Sequence, residues 1–465
     1  PGPVFVDRTA ESGLGDDGYG MGVALGDIDN DGDLDVFVTN HGPDALDRNE
    51  GNGTFLDVTS RSGIRGDAWS TSAVFFDYDV DGYLDLFVTT YVTDQPPKDC
   101  TTASGRREYC GPNAYRGTPD QLFRNLGDGR FVDVSDATGI GAALGKGLGV
   151  VTGDFDGDRR ADIYVANDGE NNYLWLNRGD GRFEDEAVMM GTAYNLFGKP
   201  EASMGIAFGD VDGDLTLDLF VTHLSRETNT LYRALPEGGL QDTTAMSGLG
   251  PPSLPYTGFG TGFLDADHDG AIDLVVVNGR VTLRDTRGPP ADDVDPLERF
   301  RNFYAEPNQL FVNDGAGRFD NACDHAIAFC EAEEVSRSTV FGDVDDDGDL
   351  DVLVTNGNGP ARLYRNDVPK RGNWIKVRAL LAAFNRDAIG ALIYADTGQG
   401  RQVRPVRHTY SYLASADATA HFGIGTAPRV EQFTVVWPDG TSEIFPGADA
   451  GETASLRRGE GAAAP

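Results

Sequence analysis

A nine-residue pattern, DxDxDGxxD with variations, recurs six times along the chain and constrains its fold more than any other feature. It reads DIDNDGDLD at Asp27–Asp35, DYDVDGYLD at Asp77–Asp85, DFDGDRRAD at Asp154–Asp162, DVDGDLTLD at Asp210–Asp218, DADHDGAID at Asp265–Asp273 and DVDDDGDLD at Asp343–Asp351. Self-similarity at a regular period is the mark of a repeat architecture. Each copy lies between two short apolar runs, GVALG and VFVTN around the first, TVFG and VLVTN around the last. These have the β-branched, apolar character of buried strands. A third run follows, as in QLFRN (Gln121–Asn125), YLWLN (Tyr173–Asn177) and QLFVN (Gln309–Asn313), then an Asn-Gly or Asp-Gly turn and a fourth run such as NGTFLDVT or DGRFVDVS. Those dipeptides close hairpins. Four strands in about 50 residues make a propeller blade. The expected fold is all-β: a β-propeller of six or seven four-stranded blades, seven favoured, over residues 1–366, the seventh drawing on the C-terminal strands or on the segment around VFVDRT.

Two spacings between repeats are longer than the rest. The extra residues, Asp94–Thr118 and roughly Thr282–Glu306, are rich in proline and charge and read as surface excursions. Beyond Asn366 the repeat stops. Residues 367–458 carry strands of another kind, among them WIKVRALL, QVRPVRHTY and EQFTVVW, and are expected to form a separate β-module; residues 459–465 read as a disordered tail.

The loops point to calcium, a hard cation that takes six to eight oxygens. Positions 1, 3, 5 and 9 offer carboxylates: Asp27, Asp29, Asp31 and Asp35; Asp77, Asp79, Asp81 and Asp85; Asp154, Asp156, Asp158 and Asp162; Asp210, Asp212, Asp214 and Asp218; Asp265, Asp267, Asp269 and Asp273; Asp343, Asp345, Asp347 and Asp351. Position 7 offers a backbone carbonyl from Asp33, Tyr83, Arg160, Thr216, Ala271 and Asp349. An EF-hand places its last acid at position 12 between helices; here it stands at position 9 between strands. Glycine at position 6 permits the sharp bend. The third and fourth loops instead have Arg159 and Leu215 there, with Gly157 and Gly213 at position 4, so those two sites are expected to be weaker or differently shaped. About six structural Ca2+ ions are the cofactor expected.

The net charge of −37 argues against nucleic acid as a partner, because phosphates would be repelled. No run of 18 apolar residues is present to span a bilayer. The cysteines fall in two close pairs, Cys100 with Cys110 and Cys323 with Cys330. Two local disulfides and an oxidising compartment are the reading, a metal site involving His325 and reduced buried thiols being the alternatives. No signal peptide is read in these residues, and an opening at Pro1 is what a processed mature protein or a trimmed chain would have. The expected location is extracellular or periplasmic.

The repeats resemble the FG-GAP or VCBS repeats of integrin α-chain propellers. Ser411–Gly440, SYLASADATAHFGIGTAPRVEQFTVVWPDG, is similar to the motif of ASPIC/UnbV domains: a serine-rich turn, HFGLG, then VxxxxVxWPxG. Together they resemble the cartilage acidic protein-like family. That resemblance implies secretion, calcium binding and adhesion-like roles.

Other constellations carry less. Arg65-Gly66-Asp67 spells a cell-adhesion tripeptide, and Asn52-Gly53-Thr54 is a glycosylation sequon on a hairpin tip. His421 is expected to be structural. Tyr410, Tyr412, Trp437, Arg404 and Arg407 are read as a sheet face rather than a pocket. Tyr115 and Arg116, on the loop stapled by the first cysteine pair, are the expected recognition site, since partner-binding residues gather on loops. The chain is therefore read as an extracellular binding or scaffold protein rather than an enzyme, recognising protein or glycan. A secondary-metabolism enzyme (cyclase or transferase) working in the propeller channel, and a self-assembling filament or surface-layer component, are the alternatives.

Overall fold

The computed structural model describes residues 4–464 apart from 94, 95, 97, 103, 104, 106, 237, 284–294, 326 and 385. Six antiparallel sheets follow one another along the chain, each built around one Asp-rich loop. The first pairs Gly20–Gly26, Asp35–Asn40, Ala45–Asn49 and Phe55–Asp57 in sequential order; the second, third, fourth and fifth have the same order, and the sixth has three strands, Ser336–Gly342, Asp351–Asn356 and Arg362–Tyr364. The loop joins the first strand of each sheet to the second. This is a β-propeller. The first strands are innermost and lie beside one another from sheet to sheet.

Small residues make that approach possible. A Cβ on Gly26 would lie 2.7 Å from the ring of Phe75, and one on Gly262 2.3 Å from Phe341. Each glycine thus receives an aromatic ring from the next sheet, and the space between sheets fills with apolar side chains at interior density.

The strands beyond residue 366 pair among themselves, in one sheet around Asn373–Leu381 and another around Leu392–Asp396, over a shared core that includes Ile375, Val377, Ile393, Phe422, Phe433 and Trp437. No seventh sheet of the propeller order occurs among the described residues, so the favoured seven-blade expectation is corrected to six sheets. Nor is the end of the chain loose through residue 464. Ala462–Ala463 pairs with Ser442–Pro446, and Gly459 N–H donates to the Glu443 carboxylate at 3.0 Å.

One hairpin of this module leaves it and enters the propeller axis. Thr409–Tyr410 pairs with Ala414–Ser415, and the residues between them reach the innermost strands of several sheets. Val23 N–H donates to the Leu413 carbonyl at 3.3 Å, and Ser411 exchanges backbone hydrogen bonds with Ile206 at 2.7 and 2.9 Å. Thr261 N–H donates to Ser411 Oγ at 3.0 Å, Phe341 N–H to Tyr410 Oη at 2.9 Å, and Leu413 N–H to Ser72 Oγ at 3.2 Å. Ala414–Ser415 touches both the first and the sixth innermost strands, bridging them. The hub of the ring is therefore protein, and inner-strand groups that would otherwise face a channel are hydrogen-bonded.

Candidate metal centres and the module docked on them

Each loop is held by its own acids. The carboxylate at position 1 accepts backbone N–H groups from across the bend: Asp27 from Asp31 and Gly32 at 3.1 and 3.0 Å, Asp343 from Asp347 and Gly348 at the same distances. The carboxylate at position 5 accepts the N–H of position 7, as Asp31 does from Asp33, Asp158 from Arg160 and Asp269 from Ala271. The position-7 residues Tyr83, Thr216 and Asp349 donate in the same way. The carboxylate at position 9 joins the start of the loop to the end of the third strand. Asp35 accepts from Ile28 and Asn49, Asp85 from Tyr78 and Asn125, and Asp351 from Val344 and Asn366.

The third strand adds a staple. The side chain of Asn125 donates to the Ile28 carbonyl of the preceding sheet at 2.8 Å, as Asn177 does to Tyr78, Asn313 to Val211 and Asn366 to Ala266. These asparagines recur in the sequence as the ends of QLFRN, YLWLN and QLFVN, but recurrence alone does not reveal that they bind the neighbouring sheet. The fourth sheet ends its third strand in Ala234 instead, so no such staple joins the third and fourth sheets.

In four loops the carboxylates of positions 1, 3 and 9 bring one oxygen each within 4.8 Å of one another: Asp27, Asp29 and Asp35; Asp77, Asp79 and Asp85; Asp154, Asp156 and Asp162; Asp210, Asp212 and Asp218. In the fifth loop the group is Asp265, Asp267 and Asp269, and a sixth group of this kind exists. Burial pushes Asp35 up to about 7, Asp85 and Asp162 to about 8, and Asp218 and Asp273 to about 7. Asp29 Oδ1 and Asp265 Oδ1 are buried without a protein partner. So much negative charge away from water is costly unless a cation offsets it. An all-oxygen donor set suits a hard divalent ion. The acidic clusters are thus capable of holding metal ions.

The glycine departures in the third and fourth loops are a swap. Positions 4 and 6 take positive φ throughout: Asn30 61° and Gly32 98°, Val80 58° and Gly82 93°, Gly157 81° and Arg159 70°, Gly213 75° and Leu215 72°, His268 65° and Gly270 100°, Asp346 60° and Gly348 92°. One of the two is glycine in every loop, and the backbone course is shared.

The C-terminal module lies on the loop face. Arg386 donates to Asn30 Oδ1 at 2.7 Å and to the Gly82 carbonyl at 2.9 Å, between the first two loops. Lys376 meets Asp343 at 2.7 Å, and Arg371 meets Asp267 and Asp269 at 2.9 and 3.0 Å. His421 is buried and its Nε2 lies 2.9 Å from the Gly348 carbonyl, a structural role as expected. Where glycine occupies position 6 the approach is close. A Cβ on Gly348 would lie 1.9 Å from the Trp374 ring, and one on Gly82 2.9 Å from Phe384.

Comparison with known proteins now bears on this arrangement. A family model described as ASPIC and UnbV matches residues 382–463, and one described as FG-GAP-like repeat matches residues 27–88, 105–165 and 154–221. The chain is an FG-GAP-repeat protein with an ASPIC and UnbV domain, homologous to cartilage acidic protein 1. The Mus musculus form is 26% identical over 359 residues, covering 66% of this chain and 54% of the relative; the Homo sapiens form is 25% identical over 386 residues, covering 70% and 57%. The chain spans about half the length of these curated relatives. Among solved structures, an Agrocybe aegerita lectin, described as recognising non-reducing terminal N-acetylglucosamine, is 14% identical over 76% of this chain and 81% of its own, with a TM-score of 0.43.

The structure gives the ASPIC and UnbV signature a physical meaning. Its serine-rich turn is the hub hairpin. In HFGIG, a Cβ on Gly423 would lie 1.8 Å from Asp265 Oδ2 and 2.7 Å from His268 Cα, so glycine lets this strand rest on the fifth loop. In WPDG, the Gly440 carbonyl accepts from Arg159 of the third loop at 3.0 Å. The expectation that Arg404, Arg407 and Tyr410 form a sheet face is corrected: they line a cavity of about 390 Å³ between module and propeller. Trp437 lines a neighbouring one. Tyr412 passes through the hub to pack on Phe259 at 5.0 Å.

On the opposite face both cysteine pairs are disulfides: Cys100–Cys110 staples the first excursion, and Cys323–Cys330 closes a turn after the fifth sheet. The side chain of His325 lies outside the described residues. The excursions from the second and fifth sheets meet. The Glu108 carboxylate accepts the Leu283 N–H, and the rings of Tyr109 and Tyr304 lie 6.4 Å apart. Tyr115 stands under Lys98 and Arg116 is exposed. Arg65 and Asp67 are also exposed on the turn entering the second sheet. No helix among the described residues is long and apolar enough to cross a membrane.

Proposed function

We propose that this chain is a secreted calcium-binding β-propeller that serves as an extracellular binding or scaffold protein, engaging a protein or glycan through the face opposite its Asp-rich loops. One observation carries this reading: the C-terminal module covers the loop face and fills the hub, while the opposite face bears two long excursions that touch, one of them stapled by Cys100–Cys110 and presenting Tyr109 at 75% exposure. Loops projecting from a rigid scaffold are where recognition residues gather. Calcium would be held by Asp27, Asp29 and Asp35 and by the matching carboxylates of the other loops, with position 5 and the position-7 carbonyl completing each shell. The ion supplies positive charge that lets the buried carboxylates stay ionised and so pins the bend between two strands. Six ions would bring the formal charge from −37 to about −25, still acidic enough to disfavour polyanions. Disulfides in a chain of this kind fit an oxidising, extracellular compartment. A channel enzyme is disfavoured because the hub hairpin fills the axis.

Two measurements test the reading. Protein purified without chelator should contain about six calcium ions per chain by plasma mass spectrometry. Arrays of glycans and extracellular proteins should show binding that is lost in EGTA and weakened at least tenfold in Tyr109→Ala or Arg116→Ala. Binding that survives both substitutions and follows the loop face instead would overturn the assignment of the face.

A further inference from the structure

Three departures from the repeat converge on one cavity. Arg159 and Leu215 stand where four other loops have glycine, and Ala234 stands where four other sheets have the stapling asparagine. All three line a cavity of about 520 Å³ between the third sheet, the fourth sheet and the C-terminal module. At the second and sixth loops the glycine lets module side chains close onto the bend. At the third loop Arg159 stands in that place and reaches the Gly440 carbonyl of the module, at the fourth Leu215 stands there, and no asparagine staple crosses the seam between the two sheets. The space at this junction is within the size range that encloses small organic ligands.

Its mixed lining includes aromatic rings. Phe155 and Phe208 stand 4.9 Å apart, and Tyr394 and Trp437 of the module also face the space. It also holds a cation with capacity to spare. Arg407 donates through Nη2 to the Phe208 carbonyl, while its Nη1 is buried without a partner. The other guanidiniums on the wall are engaged: Arg159 with the Gly440 carbonyl, Arg160 with Asp158 and the Asn177 carbonyl. Asp77, Asp154 and Asp156 line the cavity as well, and exclude an anionic head from their side. A guanidinium with one buried nitrogen lacking a hydrogen-bond partner, set over the rings of Phe208 and Tyr410, is matched by a carboxylate carried on a flat apolar body.

We propose that this cavity is a ligand site for a small aromatic monocarboxylate, the ring seated among Phe155, Phe208, Tyr394 and Trp437 and the carboxylate on Arg407. The site is distinct from the partner face and independent of it. Indole-3-acetate and its neutral counterpart indole-3-acetamide are the probes, titrated calorimetrically into the calcium-loaded full chain. The acid should bind at least tenfold more tightly than the amide. Arg407→Gln should bring the two within twofold. Leu215→Trp, which fills the cavity from a loop position that already carries a large side chain, should weaken the acid at least tenfold while leaving the thermal midpoint near that of the parent. Should Arg407→Gln fail to fold, the acid-to-amide ratio and Leu215→Trp decide. Absence of binding by either probe up to 5 mM, equal affinity for the two, or an undiminished response in Leu215→Trp each overturns the site.

Discussion

The third and fourth loops and the other four share a backbone course but differ in which left-handed position is glycine. In the second, fifth and sixth loops the glycine at position 6 lies under the C-terminal module, within contact of Phe384, Gln402 and Trp374. In the third and fourth loops the glycine at position 4 meets nothing within 4 Å. The comparison teaches that one glycine in this repeat answers to two demands. The bend itself takes positive φ at both positions and has glycine at one of them, whereas close docking of the module needs the missing side chain at position 6.

That distinction can be broken in order of effect. Gly348→Ala should be the most damaging, since the new methyl meets Trp374 on a backbone strained for any side chain; a loss of about 3–5 kcal/mol is expected by urea denaturation. Gly157→Ala, strained but unobstructed, should cost only about 1 kcal/mol. An equal loss at both would show that φ alone matters. Next come the acids. Because the two loop classes bend alike, Asp79→Asn and Asp156→Asn should each remove one calcium per chain and, with calcium at 100 times its dissociation constant, about 2.7 kcal/mol of stability. A difference of more than about 1 kcal/mol between them, with the third loop the weaker, would bear out the expectation that the third and fourth sites are weaker. Asn125→Ala should cost about 2 kcal/mol by leaving two buried carbonyls without donors, whereas Ala234→Asn should be neutral or stabilising and should narrow the cavity. Arg159→Gly, which gives up one part-buried contact to Gly440, should change stability by less than about 1 kcal/mol.

Much of the propeller was legible because its signals are local. Strand, nine-residue loop, strand and Asn-Gly turn fall within 50 residues, and each loop is closed by its own carboxylates. What was not legible depends on distant contact. Nothing near Asn125 says that its amide reaches Ile28 across 97 residues. Nothing in SYLAS says that this turn is a hub, because its partners, Val23 and Ile206 among them, lie hundreds of residues away. Counting six loops left the seventh blade open, since strand patterns in residues 367–458 look the same whether they extend a ring or pack on top of it. Arg407 was visible as a candidate, but its unpaired Nη1 is a property of the closed interface. The swap of glycines was visible too, but that position 6 lies under the module depends on distant contact.

The hub hairpin also sets an order of events during synthesis. The six sheets end at Tyr364, and Thr409–Ser415 leaves the ribosome about 50 residues later, some 3–10 s at ordinary elongation rates of about 5–20 residues per second. Through that interval the first and sixth inner strands have no bridge between them, and the N–H of Val23 and the carbonyl of Ile206 have no partner from the hairpin. A chain stopped short of residue 415 is therefore a ring without its keystone, with open strand edges of the kind that chaperones and proteases recognise. The bridge between the first and sixth sheets is thus the last part of the ring to be synthesised.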